Sequence, residues 1–446
     1  MENHYKNLIH LEPPNGLLND PNGLTYFNGE YYVFHQWNRF SCNHTYKEWG
    51  LFKSKDLLNW KHEGSAILPD CMTDSHGVYS GSAVATDNEL KIFYTGNTKN
   101  QLKRKSYQCI VESKDGRTFI KKSSFETPNN FTEHHRDPKV IYFDNQWCML
   151  VGAQDLNYRG SIALYTSYDF NEWKYQGVLF HSPDLDQMCE CPDLLDFGDQ
   201  QVLLVCPQKR NIIEDTDISS YSGYYIGNIE DKSFQPSSVL TSLDEGFDFY
   251  APQTFKDPKG RHLMWAWMSK MNSIEEQACP TRTYGYLHCL TMPREIVLKN
   301  GVLLQRPLEE FLHKRAIIEE NESNQFIFEQ EDNVQLLEVD LHEKGSEFQL
   351  NLAEGIVYID YRDRQLTLKR KSWVDFQIQE KSIEMEEISK LQVFIDQSSL
   401  EIFINNGEKV LSLRYFPKNP TKVHQFKCNT THKTILSKIE IGDKNG

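Results

Sequence analysis

The sequence lacks an apolar run long enough to serve as a signal peptide or to span a membrane. Its ten cysteines form no Cys-x-x-Cys pair of the kind that binds metal ions. A basic excess is also missing, because the net charge is −15, and nucleic acids or anionic membranes would repel such a chain. We therefore expect a soluble, cytoplasmic protein with reduced thiols and with neither a nucleic-acid nor a membrane partner. The sequence leaves the oligomeric state open.

Helical periodicity is scarce as well, whereas strand-forming residues are abundant. Aromatic residues make up 12% of the 446 residues, and 39% of the chain is hydrophobic. This composition favours a β-rich globular protein that is long enough for two or three domains. Aromatic rings would also suit a site that stacks sugar rings.

Short apolar strands recur at intervals of about 55 to 60 residues, beginning at Tyr31, Leu90, Trp147, Val202 and His262. A second repeat, Ser-x-Asp with an aromatic residue four positions after the aspartate, begins at Ser54, Ser113 and Ser167. Such turns between matching strands indicate a repeat architecture. Five units of about four strands predict a five-bladed β-propeller over residues 1–303.

The pattern changes after the fifth unit. Residues 304–316 predict a linker with a short helix, with Pro307 at the first helical position. Residues 317–446 alternate apolar and polar side chains, with turns such as Asn405-Asn406-Gly407, which is typical of an antiparallel β-sandwich. We predict a packing role for this second domain.

Asp20 lies in the run Asn19-Asp20-Pro21-Asn22-Gly23, which predicts a tight turn at the mouth of a sheet. A turn would hold the carboxylate in place, and backbone N–H groups of that turn would stabilise its negative charge. In isolation the motif is more typical of a structural turn than of a catalytic site.

Two further acids occur in comparable settings. Asp137 follows Arg136 and precedes a proline, and Glu190 lies between two cysteines, the second of which is also followed by a proline. We place the three acids on three successive blades, so that propeller symmetry brings them together around the central channel. Cleavage of a glycosidic bond needs one ionised carboxylate and one protonated carboxylic acid. The apolar neighbours of Glu190 predict a raised pKa and a protonated side chain.

Taken together, the motifs resemble those of glycoside hydrolase family 32, the β-fructofuranosidases, and most closely its bacterial sucrose-6-phosphate-hydrolysing members. The matching stretches run through the chain: Asn19–Gly23, Phe34–Gln36, Trp49-Gly50, Ser54–Trp60, Tyr79–Ala83, Arg136–Pro138, Glu190–Pro192, Tyr250–Phe255 and Met292–Glu295. Each is weak alone, and their order along the chain makes the set specific.

The resemblance implies a retaining hydrolase that releases fructose from sucrose 6-phosphate or sucrose. Asp20 would be the nucleophile, Glu190 the acid and base, and Asp137 a residue that binds fructose hydroxyls and favours the transition state. Retention requires the carboxyl groups of Asp20 and Glu190 to lie ~5–5.5 Å apart. Ten further residues would bind the substrate: Leu17, Leu18, Asn19, Gln36, Trp49, Tyr79, Ser80, Arg136, Tyr250 and Trp265. The partner would be a small sugar, and the sequence offers no motif for a metal or an organic cofactor.

The chain departs from the family pattern in one basic loop. Asn38-Arg39 replaces the usual Asn-Pro, and a tryptophan common in the family is replaced near His44. We hypothesise that Arg39, His44 and Lys47 line the leaving-group side of the site and contact a phosphate. A solvated surface loop is the alternative.

Other functions are also compatible with the sequence. An invertase or exo-fructanase acting on fructo-oligosaccharides would use the same residues. A propeller hydrolase of another furanoside, such as an arabinan, would retain three acids but should lack the pairing of Asn19–Gly23 with Glu190–Pro192. In a non-catalytic carbohydrate-binding propeller, the acids would only bind hydroxyls.

Overall fold

The structure, a computed structural model, describes residues 3–100, 103–211, 213–214, 216–268, 270–343 and 345–442. The first part of the chain forms five antiparallel sheets, the blades of a β-propeller. Blade 1 contains β1 (Gly16–Phe27), β2 (Glu30–Asn38), β3 (Glu48–Ser54) and β4 (Trp60–Ile67). Blade 2 contains β5 (Val78–Ala85), β6 (Leu90–Asn100), β7 (Lys103–Ser113) and β8 (Ile120–Glu126).

The remaining blades repeat this plan with additions. Blade 3 contains β9 (Phe131–Phe143), β10 (Gln146–Asp155), β11 (Gly160–Ser167) and β12 (Lys174–His181). Blade 4 contains β13 (Met188–Asp196), β14 (Gln201–Asn211), β15 (Thr216–Ser220), β16 (Gly223–Glu230), β17 (Ser233–Pro236) and β18 (Thr241–Ser242). Blade 5 contains β19 (Tyr250–Lys256), β20 (His262–Met268), β22 (Cys289–Leu290), β23 (Arg294–Lys299) and β24 (Val302–Pro307).

The predicted propeller and its repeat are confirmed. The five apolar runs that revealed the period are the second strands of the blades, β2, β6, β10, β14 and β20. The Ser-x-Asp repeats connect the third and fourth strands of blades 1 to 3, where each serine and aspartate hydrogen-bonds to backbone N–H groups of the turn. The ring is closed by β21 (Tyr286–Leu287), a segment that follows β20 in the chain and pairs in parallel with β1.

Packing between neighbouring blades supplies the hydrophobic core of the propeller. One buried cluster joins Phe34 and Trp49 of blade 1 to Ile92 of blade 2, and a similar cluster lies between each later pair of blades. The cluster between blades 5 and 1 contains Trp265 and continues into the C-terminal domain. Radial packing of this kind brings the first strands of neighbouring blades side by side around the centre.

The C-terminal part is a second all-β unit. Its strands are β25 (Arg315–Gln330), β26 (Val334–Asp340), β27 (Phe348–Leu352), β28 (Val357–Arg362), β29 (Gln365–Lys371), β30 (Ile378–Glu384), β31 (Lys390–Ile395), β32 (Ser399–Ile404), β33 (Lys409–Arg414) and β34 (Lys422–Ile439). The first half of β34 pairs with β27 and its second half with β26, so the strand passes between the two layers of the sandwich. A single core fills the space between the layers.

Two α-helices occur among the described residues, α1 (Ser273–Ala278) and α2 (Glu309–His313), with short 3-10 helices at Pro183–Leu185 and Pro280–Tyr284. The predicted position of Pro307 is wrong: this residue ends β24, and α2 begins at Glu309. The predicted domain limits at 303 and 317 stay a prediction. Within the described part of the chain, neither helix has the length and apolarity needed to cross a bilayer. All ten cysteines are free thiols, eight of them buried.

Buried charges join the two units. The His10 imidazole lies between Asp396 and Glu401, at 2.8 and 3.1 Å, and Arg294 donates to the other oxygen of Glu401 at 2.6 Å. The Met292–Glu295 motif therefore serves the domain interface.

Candidate active site

The inner strand of every blade carries a β-bulge at the same place. In each, two residues of the first strand face one residue of the second, and the inserted pairs are Asn19-Asp20, Tyr79-Ser80, Asp137-Pro138, Cys191-Pro192 and Ala251-Pro252. A bulge interrupts the ladder and redirects side chains, and it also accommodates proline, which cannot donate to the ladder. The same irregularity therefore recurs once in each blade, on the first strand.

The predicted arrangement of the acids is wrong in three respects. Asp20 lies within the bulged strand β1, not in a tight turn; the tight turn is Asn28-Gly29, between β1 and β2. The three acids come from blades 1, 3 and 4 instead of three successive blades. They also occupy different positions, because Asp20 is the second inserted residue, Asp137 the first, and Glu190 precedes its bulge.

Asp20 is held by side chains and not by the backbone N–H groups that we expected. Ser80 donates to its Oδ2 at 2.5 Å, and Asn19 donates to its Oδ1 at 3.1 Å. Gln36 closes a ring, because it accepts from Asn19 at 2.9 Å and donates to Ser80 at 2.9 Å. The ring fixes the carboxylate and leaves it partly exposed to the pocket.

Glu190 is surrounded by donors. Arg136 donates to Oε1 through Nη2 and Nε at 2.7 and 2.9 Å, while Gln208 and the Tyr250 hydroxyl donate to Oε2 at 2.6 and 2.7 Å. Burial acts to raise the pKa of Glu190, but the Arg136 charge and these hydrogen bonds outweigh it and lower that pKa. The expected raised pKa is therefore wrong, because residues adjacent on a strand face opposite ways and Glu190 faces donors from other strands instead of its neighbours in sequence.

Asp137 has the opposite tendency. Burial, reinforced by the nearby charge of Glu190, raises the pKa of Asp137 to about 7, although Arg136 opposes the shift. Its Oδ2 accepts from the backbone N–H of Cys191 at 3.1 Å. Charge from Asp20 also contributes to this pKa, so Asp137 is within electrostatic reach of both other acids. The site thus lowers the pKa of Glu190 and raises that of Asp137.

Four residues that we expected to bind substrate are buried in the core. Leu17, Leu18, Trp49 and Trp265 each have 0% of their surface exposed. Trp49 packs between blades 1 and 2 and donates to the Tyr79 carbonyl at 3.0 Å, so it supports the pocket from behind. These large apolar side chains near the motifs therefore belong to the packing beneath the site.

The basic loop divides into two parts. Arg39 points away, donating to Ser65 at 2.6 Å and lying 3.8 Å from Glu48. Lys47 points inward and donates to the Oδ1 of Asn19, and it also contacts Nδ1 of His44 at 3.1 Å. His44 and Lys47 therefore lie at the pocket, and Arg39 does not join them.

The sequence did not reveal several residues that the structure places around the pocket. Gln208 lies near the end of β14 as Gln36 does in β2, and this repeated glutamine near the end of a second strand is the signal that would have found it. Lys270 lies 4.2 Å from the centre of the Tyr250 ring. Glu276 and His288 come from the segment between β20 and β22, where no motif marks them.

One group among the described residues has the composition of a metal site. Ligand atoms of His44, Glu276 and His288 all lie within 4.8 Å of one another. A cation there would lie close to the Lys47 ammonium, which occupies the other nitrogen of His44. The expectation that no metal takes part stays a prediction.

Three carboxylates that converge on the inner strands of a five-bladed propeller define a class of enzymes, the glycoside hydrolases built on this fold. Comparison with known families narrows the class. The model of the glycosyl hydrolases family 32 N-terminal domain matches residues 10–307, and the model of the family 32 C-terminal domain matches residues 313–443. The chain belongs to glycosyl hydrolase family 32.

Individual relatives agree with this assignment. The chain is 37% identical to the sucrose-6-phosphate hydrolase of Bacillus subtilis (strain 168) over 425 residues, which are 92% of this chain and 88% of that protein. The solved sucrose-6-phosphate hydrolase of Lactobacillus gasseri has a TM-score of 0.86 and 30% identity, covering 98% of this chain and 94% of that one. A Bombyx mori β-fructofuranosidase variant in complex with sucrose has a TM-score of 0.85 and 25% identity, covering 99% and 95%.

Proposed function

We propose that this glycoside hydrolase is a retaining β-fructofuranosidase that releases fructose from sucrose 6-phosphate and from sucrose. The observation that carries the proposal is the contrast between two acids at one pocket. Asp20 is an oriented, partly exposed carboxylate. Glu190 interacts electrostatically with Asp137, a side chain that can supply a proton. The names of the Bacillus and Lactobacillus relatives support the phosphorylated substrate.

The geometry supports a double displacement. Asp20 attacks the anomeric carbon of the fructosyl unit, while Glu190 gives a proton to the departing oxygen. Water then cleaves the fructosyl ester, with Glu190 as the base that takes its proton. Asn19, Ser80 and Gln36 act by holding Asp20 in line, because a misplaced nucleophile loses much of the benefit of proximity.

Glu190 must carry a proton to act as the acid. The surrounding charges, however, favour placing this proton on Asp137. Since Asp137 and Glu190 influence each other, one proton belongs to the pair. Fructose hydroxyls that donate to Asp137 would stabilise its ionised form and shift that proton to Glu190. Arg136 contacts Glu190 at 2.7 Å, and it would then neutralise the carboxylate after proton transfer.

The pH dependence of kcat/KM tests this shared proton. Because the raised pKa of Asp137 is about 7, the pair loses its proton as the pH rises through that value, and kcat/KM should fall above about pH 7. In Asp137→Asn, the remaining proton must bind Glu190, whose own pKa is lowered, so the fall should move to lower pH. A fall at unchanged pH in the variant would contradict the shared proton.

The leaving sugar faces the loop that carries His44 and Lys47. An ammonium group at the pocket mouth would bind a phosphate on that sugar through a charge-assisted hydrogen bond. A phosphorylated sugar does not cross a membrane unaided, so we also propose that the enzyme acts in the cytoplasm. A fructo-trisaccharide carries no phosphate, and a preference for this substrate would indicate an invertase or exo-fructanase instead.

The experiment measures kcat/KM for sucrose, sucrose 6-phosphate and a fructo-trisaccharide side by side. We expect sucrose 6-phosphate to be preferred, and Lys47→Ala to reduce that preference by about tenfold, the effect of one charge-assisted hydrogen bond. Arg39→Ala is the matched control, because Arg39 is bound to Ser65 away from the pocket. If Lys47→Ala left the preference unchanged, the phosphate contact would be refuted. If the enzyme released fructose from none of the three sugars, the proposed function would be refuted.

A further inference from the structure

A chain of polar contacts runs from helix α1 to the candidate nucleophile. Nε2 of His44 and Nε2 of His288 each lie 2.9 Å from the same oxygen of Glu276. Nδ1 of His44 is 3.1 Å from the Lys47 ammonium, which in turn donates to Asn19. Asn19 donates to Asp20 at 3.1 Å. These contacts connect Asp20 to a segment some 250 positions away in sequence.

The outer end of this chain is anchored in the core. The His288 side chain is 0% exposed, and its backbone has a φ of 72°, a left-handed conformation that residues with a Cβ rarely adopt. Its ring lies 5.1 Å from that of Trp267. A strained, buried histidine aimed at Glu276 indicates that the carboxylate position is strongly fixed.

The contacts have one consistent direction. An ammonium group only donates, so Lys47 fixes Nδ1 of His44 as an acceptor and leaves the ring proton on Nε2, which donates to the Glu276 carboxylate. The same ammonium fixes Oδ1 of Asn19 as an acceptor. The Asn19 NH₂ group must then point toward Asp20 and Gln36. Without Lys47, the oxygen of this amide would lose its donor, and only the two acceptors would hold the amide in place.

We propose that Glu276 is a positioning residue for the nucleophile: it holds His44, and through His44 and Lys47 it fixes the orientation of the Asn19 amide and so of Asp20. The inference rests on the proposed function, because it assigns Glu276 to the same reaction. It does not require Glu276 to touch the substrate. The hydrogen-bond chain also accounts for the metal-like composition of His44, Glu276 and His288, since the Lys47 ammonium already supplies the positive charge at this point.

The test compares Glu276→Gln with Glu275→Gln on the same helix. The amide introduced by Glu276→Gln has almost the same shape as the carboxylate, but its oxygen carries no charge and therefore accepts more weakly from the two imidazoles. Glu275→Gln makes the same change of charge and preserves the capping contact with Asn272, while it loses the hydrogen bond that Gln379 donates to the other Glu275 oxygen. We expect Glu276→Gln to lower kcat about tenfold with KM nearly unchanged, and to do so equally for sucrose, sucrose 6-phosphate and methyl β-fructofuranoside. Glu275→Gln should behave as the wild type, and the melting temperatures should show that all proteins are folded.

The substrate series separates the outcomes. A loss on the two disaccharides that spares methyl β-fructofuranoside would overturn the proposal, because Glu276 would then contact the leaving sugar. Normal activity of Glu276→Gln, or an activity that rises with added Zn²⁺ and falls on chelation, would overturn it as well. Should Glu276→Gln fail to fold, His44→Phe at an exposed position breaks the link between Glu276 and Lys47 and gives the same test on sucrose and methyl β-fructofuranoside. Wild-type turnover of sucrose tests the function itself, and the variant-to-wild-type ratios test the inference.

Discussion

Asp20→Asn should reduce kcat for sucrose by about 10⁴-fold or more, the range seen when a nucleophile is removed from a preorganised site. Asparagine has the same shape but cannot form the fructosyl ester. The fold should survive, because the Ser80 hydroxyl can rotate to accept from the new amide while Asn19 still donates to its oxygen. Reducing-sugar release from sucrose, measured beside the melting temperature, checks both statements.

A matched control for this variant is Asp144→Asn, since Asp144 is exposed in the turn between β9 and β10 and asparagine tolerates its φ of 49°. Near-normal turnover by Asp20→Asn, with the control also active, would overturn the nucleophile assignment. Equal loss in both variants would indicate a general effect of the amide.

Glu190→Gln should reduce kcat for sucrose by about 10² to 10³-fold, which is the usual contribution of a general acid. The loss in kcat/KM, which reports formation of the fructosyl ester, should be much smaller for 4-nitrophenyl β-fructofuranoside, because its leaving group departs without protonation. Glutamine also keeps the hydrogen bond from Tyr250 but loses the charge that holds Arg136. Steady-state kinetics on both substrates give the comparison.

The exposed Glu172 supplies the control for this experiment, as Glu172→Gln changes the same charge far from Arg136 and Tyr250. Equal losses of Glu190→Gln on both substrates would contradict the acid role and would favour a structural one. A loss that grows as the leaving group worsens is the expected pattern.

The sequence predicted the propeller because one physical constraint repeats in it. Each blade needs a buried second strand, and β2, β6, β10, β14 and β20 all show as apolar runs at one period. The candidate acids were found as well, since each stands beside or close to a proline that marks a bulge. The prolines that accompany the bulges are visible in the sequence, in Asp20-Pro21, Asp137-Pro138 and Cys191-Pro192, each in a different blade.

The pairing of charges across blades could not be predicted in the same way. Arg136 precedes Asp137 directly in sequence, yet it binds Glu190 of the next blade, and that contact decides which acid holds the proton. The burial of Trp49 and Trp265 likewise depends on packing between blades. Glu276 lies in a segment that is not part of the repeat, so the repeat could not predict its position at the site.

The central claim is that Asp20 carries the fructosyl group during turnover. The most direct measurement is mass spectrometry of Glu190→Gln after rapid quenching with 4-nitrophenyl β-fructofuranoside, which allows the ester to form while its hydrolysis lacks a base. We predict one added fructosyl unit on the peptide that contains Asp20, and none on this peptide in the Asp20→Asn, Glu190→Gln double variant. A fructosyl unit on the peptide that contains Asp137, or continued turnover without any covalent adduct, would contradict the claim.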